Sequence, residues 1–234
     1  MSERIETMDF STISKPHSTI SKPHLIFCEG ADEFWFLVHF LNSAELKETS
    51  SFFSNDIQVI NFGGNEDLPQ KLEVLTVSPG FSSVKSLLII RDAERNAEQA
   101  VSQIVRSLER LQLPAPRHPG VWESGKIKVG FLLFPACNNS ASEGTLEDLC
   151  LSVLKDADSS AAIEEIRTFI ARLKSEHHRP FPREHKNQLH TYFSITDKYV
   201  GMKIGEAAKA HAFDWNSYKL QYFKTFLLEA VNTH

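Results

Sequence analysis

The sequence predicts an α/β protein with a mostly parallel central sheet flanked by helices and a helical segment at its C-terminus. Two short apolar runs, HLIFC at His24–Cys28 and SLLII at Ser86–Ile90, are typical of strands that are buried on both faces of a parallel sheet. Strand-like and helical patterns alternate over the first two thirds of the chain. This alternation favours parallel strands joined by right-handed helical crossovers.

The pattern of apolar residues predicts about four strands with helices between them. Acidic residues follow the first strand at Asp32 and Glu33, where the first turn of a helix stabilises negative charge. Pro114 and Pro116 end the longest helix of this part of the chain. Further strands are expected at 57–62 and 126–134, and helices at 31–46, from Leu68 to about Val77, at 96–113 and at 145–154.

The two ends of the chain differ from this central part. Residues 1–23 are polar and contain a tandem repeat, STISKPH at 11–17 and again at 18–24, so we expect a flexible leader there. An α/β domain is expected at 24–155, followed at 156–234 by a helical extension packed on it. In that extension we expect helices at 161–173, 202–212 and 217–231, a basic proline-broken loop at 177–185, and either helix or strand at 190–196.

Composition limits the classes of function. The formal net charge of −5 over 234 residues gives no overall basic field, so any contact with nucleic acid depends on a local patch. The three cysteines, Cys28, Cys137 and Cys150, lack CxxC spacing and are expected to be reduced thiols. The sequence has neither an apolar run of about 20 residues nor a signal-peptide pattern, so we expect a cytoplasmic protein that does not enter a membrane.

Acidic residues follow two of the predicted strands directly. Glu29 comes after the first strand, and Asp92 and Glu94 come after the strand at Ser86–Ile90. The carboxyl ends of parallel strands meet at one edge of the sheet, where their carboxylates repel one another unless a cation or a proton offsets the charge. Oxygen ligands suit Mg²⁺ and Mn²⁺, which favours a metal site. The alternative is that Asp92 is a helix N-cap and Glu94 a first-turn acid.

A second acidic group, Glu143, Glu147 and Asp148, follows the fourth predicted strand. Glu147 is the member we expect to serve as a further metal ligand. The alternative interpretation is structural, since Thr145 and Asp148 have the spacing of a capping box and Glu147 suits the positive end of the helix dipole.

Phosphate or nucleic-acid contacts are expected from two further segments. Asn138 and Asn139 follow the fourth strand, where they either bind phosphate or build a turn. The segment HHRPFPREHKNQLH at 177–190 contains Arg179, Arg183 and Lys186 among four histidines. Its prolines break the helical spacing that a histidine zinc site needs, so it is either a solvated basic loop or a contact for the phosphate backbone.

The two strand-end motifs resemble the Toprim domain of topoisomerases, primases and nucleases of the overcoming-lysogenization-defect type. The resemblance covers residues 24–155 by the buried strand ending in Glu29-Gly30 and the later strand ending in Asp92-Ala93-Glu94. It implies a Rossmann-like Toprim fold, Glu29 as general acid/base, and a metal held by Asp92 and Glu94. Glu94 departs from the family, which has Asp at that position.

Two longer stretches extend the resemblance. FPACNNSASEGTLEDLCLSVL and the tail KNQLHTYFSITDKYVGMKIGEAAKAHAFDW are similar to a group of uncharacterised prokaryotic Toprim-like proteins, over nearly all of residues 24–231. This second resemblance implies a fold and a candidate metal site but no known substrate. The activity we expect is Mg²⁺- or Mn²⁺-dependent phosphodiester chemistry of the nuclease or nicking type. DNA or RNA is the expected partner, and a homodimer is left open.

Two alternatives to this function belong to other classes. One is a non-catalytic binding or regulatory module with a vestigial metal site, which the missing broad basic surface favours. The other is a small-molecule phosphohydrolase, which needs a nucleophilic Asp at the end of the first strand, where this chain has Cys28-Glu29.

Overall fold

A five-stranded mixed sheet, mostly parallel, forms the centre of the molecule. The structure, a computed structural model, describes residues 19–64, 68–156, 159–178, 181 and 183–231. The strand order is β2-β1-β3-β5-β4, and β4 alone runs antiparallel to its neighbour. The strands are β1 (His24–Cys28), β2 (Ile57–Asn61), β3 (Ser86–Asp92), β4 (Trp122–Ser124) and β5 (Lys128–Phe134).

The α/β class and the mostly parallel sheet are confirmed, but the expected number of strands is one too low. The additional strand, β4, has only three residues, two of them exposed, and pairs with β5 at the edge of the sheet. A strand this short and polar lacks the apolar run that marks a buried strand.

Helices cover both faces of the sheet. Successive residues of a strand point to opposite faces, so in β1 Leu25 and Phe27 join one hydrophobic cluster and Ile26 and Cys28 join the other. The helices are α1 (Ala31–Leu41), α2 (Ala44–Thr49), α3 (Phe52–Asn55), α4 (Leu68–Val77), α5 (Ala97–Arg110), α6 (Leu146–Ser152), α7 (Ser159–Glu176), α8 (Glu184–Ile195), α9 (Ile204–Lys209) and α10 (Gln221–Glu229).

The C-terminal helices share a hydrophobic cluster with α1 and one face of the sheet. The Phe40 ring of α1 stacks on Phe223 of α10 with a centroid distance of 5.2 Å, and Phe36 meets Trp215 at 5.2 Å. Aromatic pairs at such distances contribute beyond the area that they bury. These contacts hold α10 and the segment before it against α1.

Helix α8 differs from the sequence expectation. It begins at Glu184 and continues to Ile195, so it includes the end of the expected basic loop and most of the segment that fitted either helix or strand. Leu189, Tyr192 and Phe193 are its buried residues. Their spacing of three and four residues places them on one helix face, which explains why this segment is helical.

Part of the expected leader is packed against the domain. Residues 1–18 lie outside the described residues, but Ile20 is buried and the Ser21 N–H donates to Gln58 Oε1 at 2.8 Å. The Lys22 ammonium donates to the Ser54 carbonyl at 2.7 Å. The last residues of the expected leader therefore contact the edge strand β2 and helix α3, which polar composition did not reveal.

All three cysteines are buried free thiols, and burial raises the pKa of each. Within the described ranges, no helix combines the length and the apolar character needed to cross a bilayer.

Close packing of α1 against α9 depends on Gly205. A Cβ atom at this position would overlap the Trp35 Cβ atom and lie 3.0 Å from its Cγ. We expect Gly205→Ala to lower the free energy of unfolding by about 1–3 kcal/mol, because the two helices must move apart. Urea unfolding followed by circular dichroism measures this change, and an unaltered unfolding midpoint would contradict the described packing.

Candidate functional site

The ends of β1 and β3 bring Glu29 next to Arg91. Cys28 pairs with Ile90 in the sheet register, and β3 then continues for two residues to Asp92. Arg91 Nε lies 3.7 Å from Glu29 Oε2, and the two side chains are only 2% and 14% exposed. Arg91 also donates to Gln103 Oε1 of α5 at 2.8 Å, which fixes the guanidinium under the edge of the sheet.

Asp92 connects β3 to α6. Its side chain is buried, and its Oδ1 atom accepts a hydrogen bond from the Leu146 N–H at 2.9 Å. The alternative that Asp92 caps the helix following β3 is wrong, because Asn96 is the N-cap of α5 and accepts from the Gln99 N–H. Asp92 instead receives the first N–H of a helix that begins 54 residues later.

Four carboxylates gather at this edge and form what we call the carboxylate cluster: Glu29, Glu33, Asp92 and Glu147. Burial, and then the negative charges of Glu33, Glu147 and Glu29, raise the pKa of Asp92 well above its usual range. Burial, together with the negative charges of Glu29, Asp32 and Glu147, raises the pKa of Glu33 to about 7. The charges of Glu29 and Glu147 thus make ionisation of both Glu33 and Asp92 less favourable.

Glu29 is buried less deeply and has a cationic neighbour. Burial raises its pKa, the positive charge of Arg91 lowers it, and the negative charge of Glu94 raises it. Its Oε2 atom is buried and accepts no hydrogen bond from the part of the chain that the structure describes.

Lys186 of α8 reaches the carboxylate cluster from the C-terminal helices. Its Nζ atom lies 3.5 Å from Glu147 Oε1 and 3.8 Å from Asp32 Oδ2. The Lys186 side chain is 38% exposed, so these ion pairs are screened by water and stabilise the fold only weakly. One of the cations expected to contact phosphate thus lies directly beside the carboxylates.

Glu94 lies apart from Asp92 although only one residue separates them. Its backbone has a positive φ of 54°, and its N–H donates to the Gly144 carbonyl at 2.8 Å. Its exposed side chain lines a small cavity with Arg91 and Arg95, and its charge acts on Glu29 and Arg91. The structure thus places Glu94 on the Arg91 side of Glu29, whereas Glu33 and Glu147 act on Asp92.

The capping box at α6 is present as predicted. Asp148 Oδ2 accepts from the Thr145 N–H at 2.9 Å, and Asp148 Oδ1 lies 2.7 Å from Nδ1 of His185. Glu147 lies one residue earlier and is only 12% exposed, while Glu143 is exposed in the preceding loop.

Three of the other residues expected to contact phosphate are described by the structure, and none of the three joins the cluster. Asn138 Oδ1 accepts from the Ser140 N–H at 2.7 Å and so builds a turn, and Asn139 is exposed. Arg183 is an exposed residue at the N-cap of α8. Arg179 lies outside the described residues.

Glu33 and Arg91 belong to the site although the sequence did not predict them as site residues. A Cβ atom at Gly30 would overlap Glu33 Oε2 and lie 3.3 Å from its Cδ, so the missing side chain makes room for the Glu33 carboxylate. A glutamate three residues after a glycine N-cap is a signal that could have found Glu33. Arg91 lacked any such signal, because an arginine within an apolar strand also fits a surface position.

The chemistry of the carboxylate cluster suits a hard divalent cation, but the spacing of its side chains does not yet form a metal site. All of them are carboxylate oxygens, the ligands that Mg²⁺ and Mn²⁺ prefer, and the buried Glu29 Oε2 atom has no hydrogen-bond donor among the described residues. However, no group of three or more His, Cys, Asp or Glu side chains in the described ranges has the spacing of a metal site. Binding therefore requires the side chains to move closer together.

A family model described as "protein of unknown function (DUF3226)" matches residues 23–232. The chain belongs to this family. No curated protein and no solved structure matches this chain. The match of the DUF3226 model runs through both the sheet and the C-terminal helices, so it includes every member of the carboxylate cluster as well as Lys186.

The raised pKa of Glu33 predicts how the stability of this DUF3226 protein changes with pH. Between about pH 4.5 and 7 the folded state keeps a proton that the unfolded state has lost, so stability decreases as pH rises. We expect Glu33→Gln to raise the free energy of unfolding by about 1–3 kcal/mol at pH 8, relative to the unmodified protein at the same pH. Near pH 4 we expect the variant and the unmodified protein to have the same free energy of unfolding.

Urea denaturation at both pH values measures this difference, with Glu48→Gln at an exposed position of α2 as the matched control. An equal effect of Glu33→Gln at both pH values would show that Glu33 is not a titrating member of the cluster.

Proposed function

We propose that this DUF3226 protein binds Mg²⁺ or Mn²⁺ at the carboxylate cluster and performs phosphodiester chemistry on nucleic acid, as its resemblance to Toprim domains implies. The observation that carries the proposal is the accumulation of four partly or fully buried acids at the carboxyl ends of the neighbouring strands β1 and β3. Such repulsion is costly in a folded protein unless a cation or a proton offsets it.

Asp92 and Glu147 are the proposed metal ligands, with Glu29 beside them, because the charges of Glu147 and Glu29 both act on Asp92. Glu94, the other ligand that the Toprim resemblance implies, must turn toward Glu29 to take part, and its exposed side chain is free of the packing that holds Asp92. A bound divalent ion supplies charge stabilisation at the phosphate and its departing oxygen.

Glu29 is the proposed acid/base residue. Burial raises its pKa, which favours a carboxyl group that both holds and releases a proton. The Arg91 guanidinium at 3.7 Å opposes that shift and orients the carboxylate, and Gln103 holds Arg91 in turn. Arg91 therefore acts as a positioning residue for Glu29 in this proposal.

In the same proposal, Lys186 neutralises part of the negative charge until a metal binds. Its ammonium partly offsets Glu147 and Asp32, and its exposed side chain has room to leave them when a metal arrives. An ammonium released at this edge of the sheet is then available to a substrate phosphate.

A non-catalytic binding module is the second candidate, favoured by the hydrogen bond from Leu146 to Asp92. An aspartate that holds the start of α6 has a structural reason to be present without any metal. In this candidate the carboxylate cluster keeps part of its protons, and the protein acts only by binding a partner.

Nicking of supercoiled plasmid in Mg²⁺ or Mn²⁺ tests the catalytic proposal. We expect Asp92→Asn to reduce the rate by at least about a hundredfold, since removal of one charge-stabilising group typically costs that much. Asparagine retains an oxygen that accepts from the Leu146 N–H, so the fold should persist, and Asp197→Asn at an exposed position is the matched control. Equal nicking by Asp92→Asn, or none by the unmodified protein with either metal, would contradict this assignment.

A further inference from the structure

A second cleft lies beside the carboxylate cluster, where the N-terminal turns of α6 and α8 meet. Two neighbouring residues of α8 face different sites: Lys186 pairs with Glu147 of the cluster, whereas His185 pairs with Asp148 and lines the cleft. The cleft has a volume of about 470 Å³ and is also lined by residues from the loop after β3 and from α7. The proposed function uses none of its residues.

The cleft has an excess of positive charge in a chain whose net charge is −5. Arg95, Arg167 and Lys174 line it, together with Asp148 and Glu184. Both carboxylates are engaged, because Asp148 accepts from Thr145 and Glu184 lies 2.9 Å from the Lys174 ammonium. The contact between Arg167 and Glu164 at 3.5 Å joins two largely exposed side chains and is therefore weak.

His185 adds an oriented ring to this cationic lining. Its Nδ1 atom lies 2.7 Å from Asp148 Oδ1, and the capping box holds Asp148 in place. Because Nδ1 is engaged, Nε2 is the ring nitrogen through which His185 would contact a ligand. Phe181, partly buried against the core, supplies the aromatic surface of the lining.

Arg95 links the cleft to the proposed catalytic residues. It also lines a smaller cavity of about 280 Å³ together with Arg91 and Glu94. Arg91 in turn pairs with Glu29. A ligand that extends from the cleft past Arg95 therefore comes to the Glu29 side of the carboxylate cluster.

We propose that this cleft binds a single strand of nucleic acid, with phosphates at Arg95 and Arg167 and a base against Phe181. A cationic groove combined with an aromatic surface is the usual means of holding a strand without regard to its sequence. The volume suits one or two nucleotides, in the range of small-molecule sites, and is too small to take up a duplex. The inference rests on the proposed function for its choice of ligand, and it names the substrate class of that site.

Fluorescence anisotropy with a labelled 12-nucleotide oligothymidylate, measured in EDTA, tests the inference without any divalent ion. We expect the double variant Arg95→Gln/Arg167→Gln to raise the Kd at least about tenfold. The slope of log K against log salt concentration should become shallower by about 1.4, because each phosphate that an arginine no longer neutralises contributes about 0.7. Arg106→Gln/Arg172→Gln removes two exposed arginines that line neither cavity and should change the Kd less than about twofold.

Phe181→Leu preserves an apolar side chain at the cleft and should weaken binding at least about fivefold, because leucine offers no aromatic face for a base to stack on. Equal losses of affinity in both double-arginine variants, no binding by the unmodified protein, or equally tight binding of a 12-base-pair duplex would each overturn the inference. Because EDTA removes the metal, oligothymidylate binding stands or falls separately from plasmid nicking.

Discussion

Repulsion among the buried acids at the ends of β1 and β3 is the constraint on which the site depends. Asp92 lies in the strand and has little freedom to move away, and Glu33 occupies the space that Gly30 leaves open. Burial and mutual charge raise the pKa of both residues, so at neutral pH the cluster holds protons or requires cations. Arg91 on one side and Lys186 on the other supply part of that positive charge.

The start of α6 transmits this constraint to the rest of the molecule. Its first N–H donates to Asp92, its second residue, Glu147, belongs to the carboxylate cluster, and its third, Asp148, holds His185. Helix α8 thus contacts both the cluster and the basic cleft through adjacent residues. A change of charge at Glu147 would therefore alter its ion pair with Lys186, and the next residue of α8, His185, lines the cleft.

The sequence predicted the sheet well because long buried strands have a clear apolar pattern. It predicted Glu29, Asp92 and Glu94 at one edge of the sheet because parallel strands align their carboxyl ends, and Glu147 as a further ligand. It missed β4, which is too short and exposed to show a pattern, and it assigned His185 to a loop because nearby prolines outweighed the helical spacing of Leu189, Tyr192 and Phe193.

Contacts between distant segments were beyond the reach of local patterns. The pairing of Lys186 with Glu147 and of Arg91 with Gln103 depends on how helices pack on the sheet, and a single sequence carries no direct record of that packing. Glu94 illustrates the same limit. Its spacing from Asp92 suggested a shared site, but the left-handed backbone at Glu94 turns it toward Arg91 instead.

The position of bound Mn²⁺ shows whether the carboxylate cluster is a metal site. Anomalous diffraction from crystals of the full chain grown with Mn²⁺ locates the ion without any assumption about activity. We expect a peak coordinated by Asp92 and Glu147 beside Glu29, with Lys186 displaced from Glu147. A peak only at other residues, or no peak at a saturating concentration of Mn²⁺, would contradict the assignment of the carboxylate cluster as a metal site.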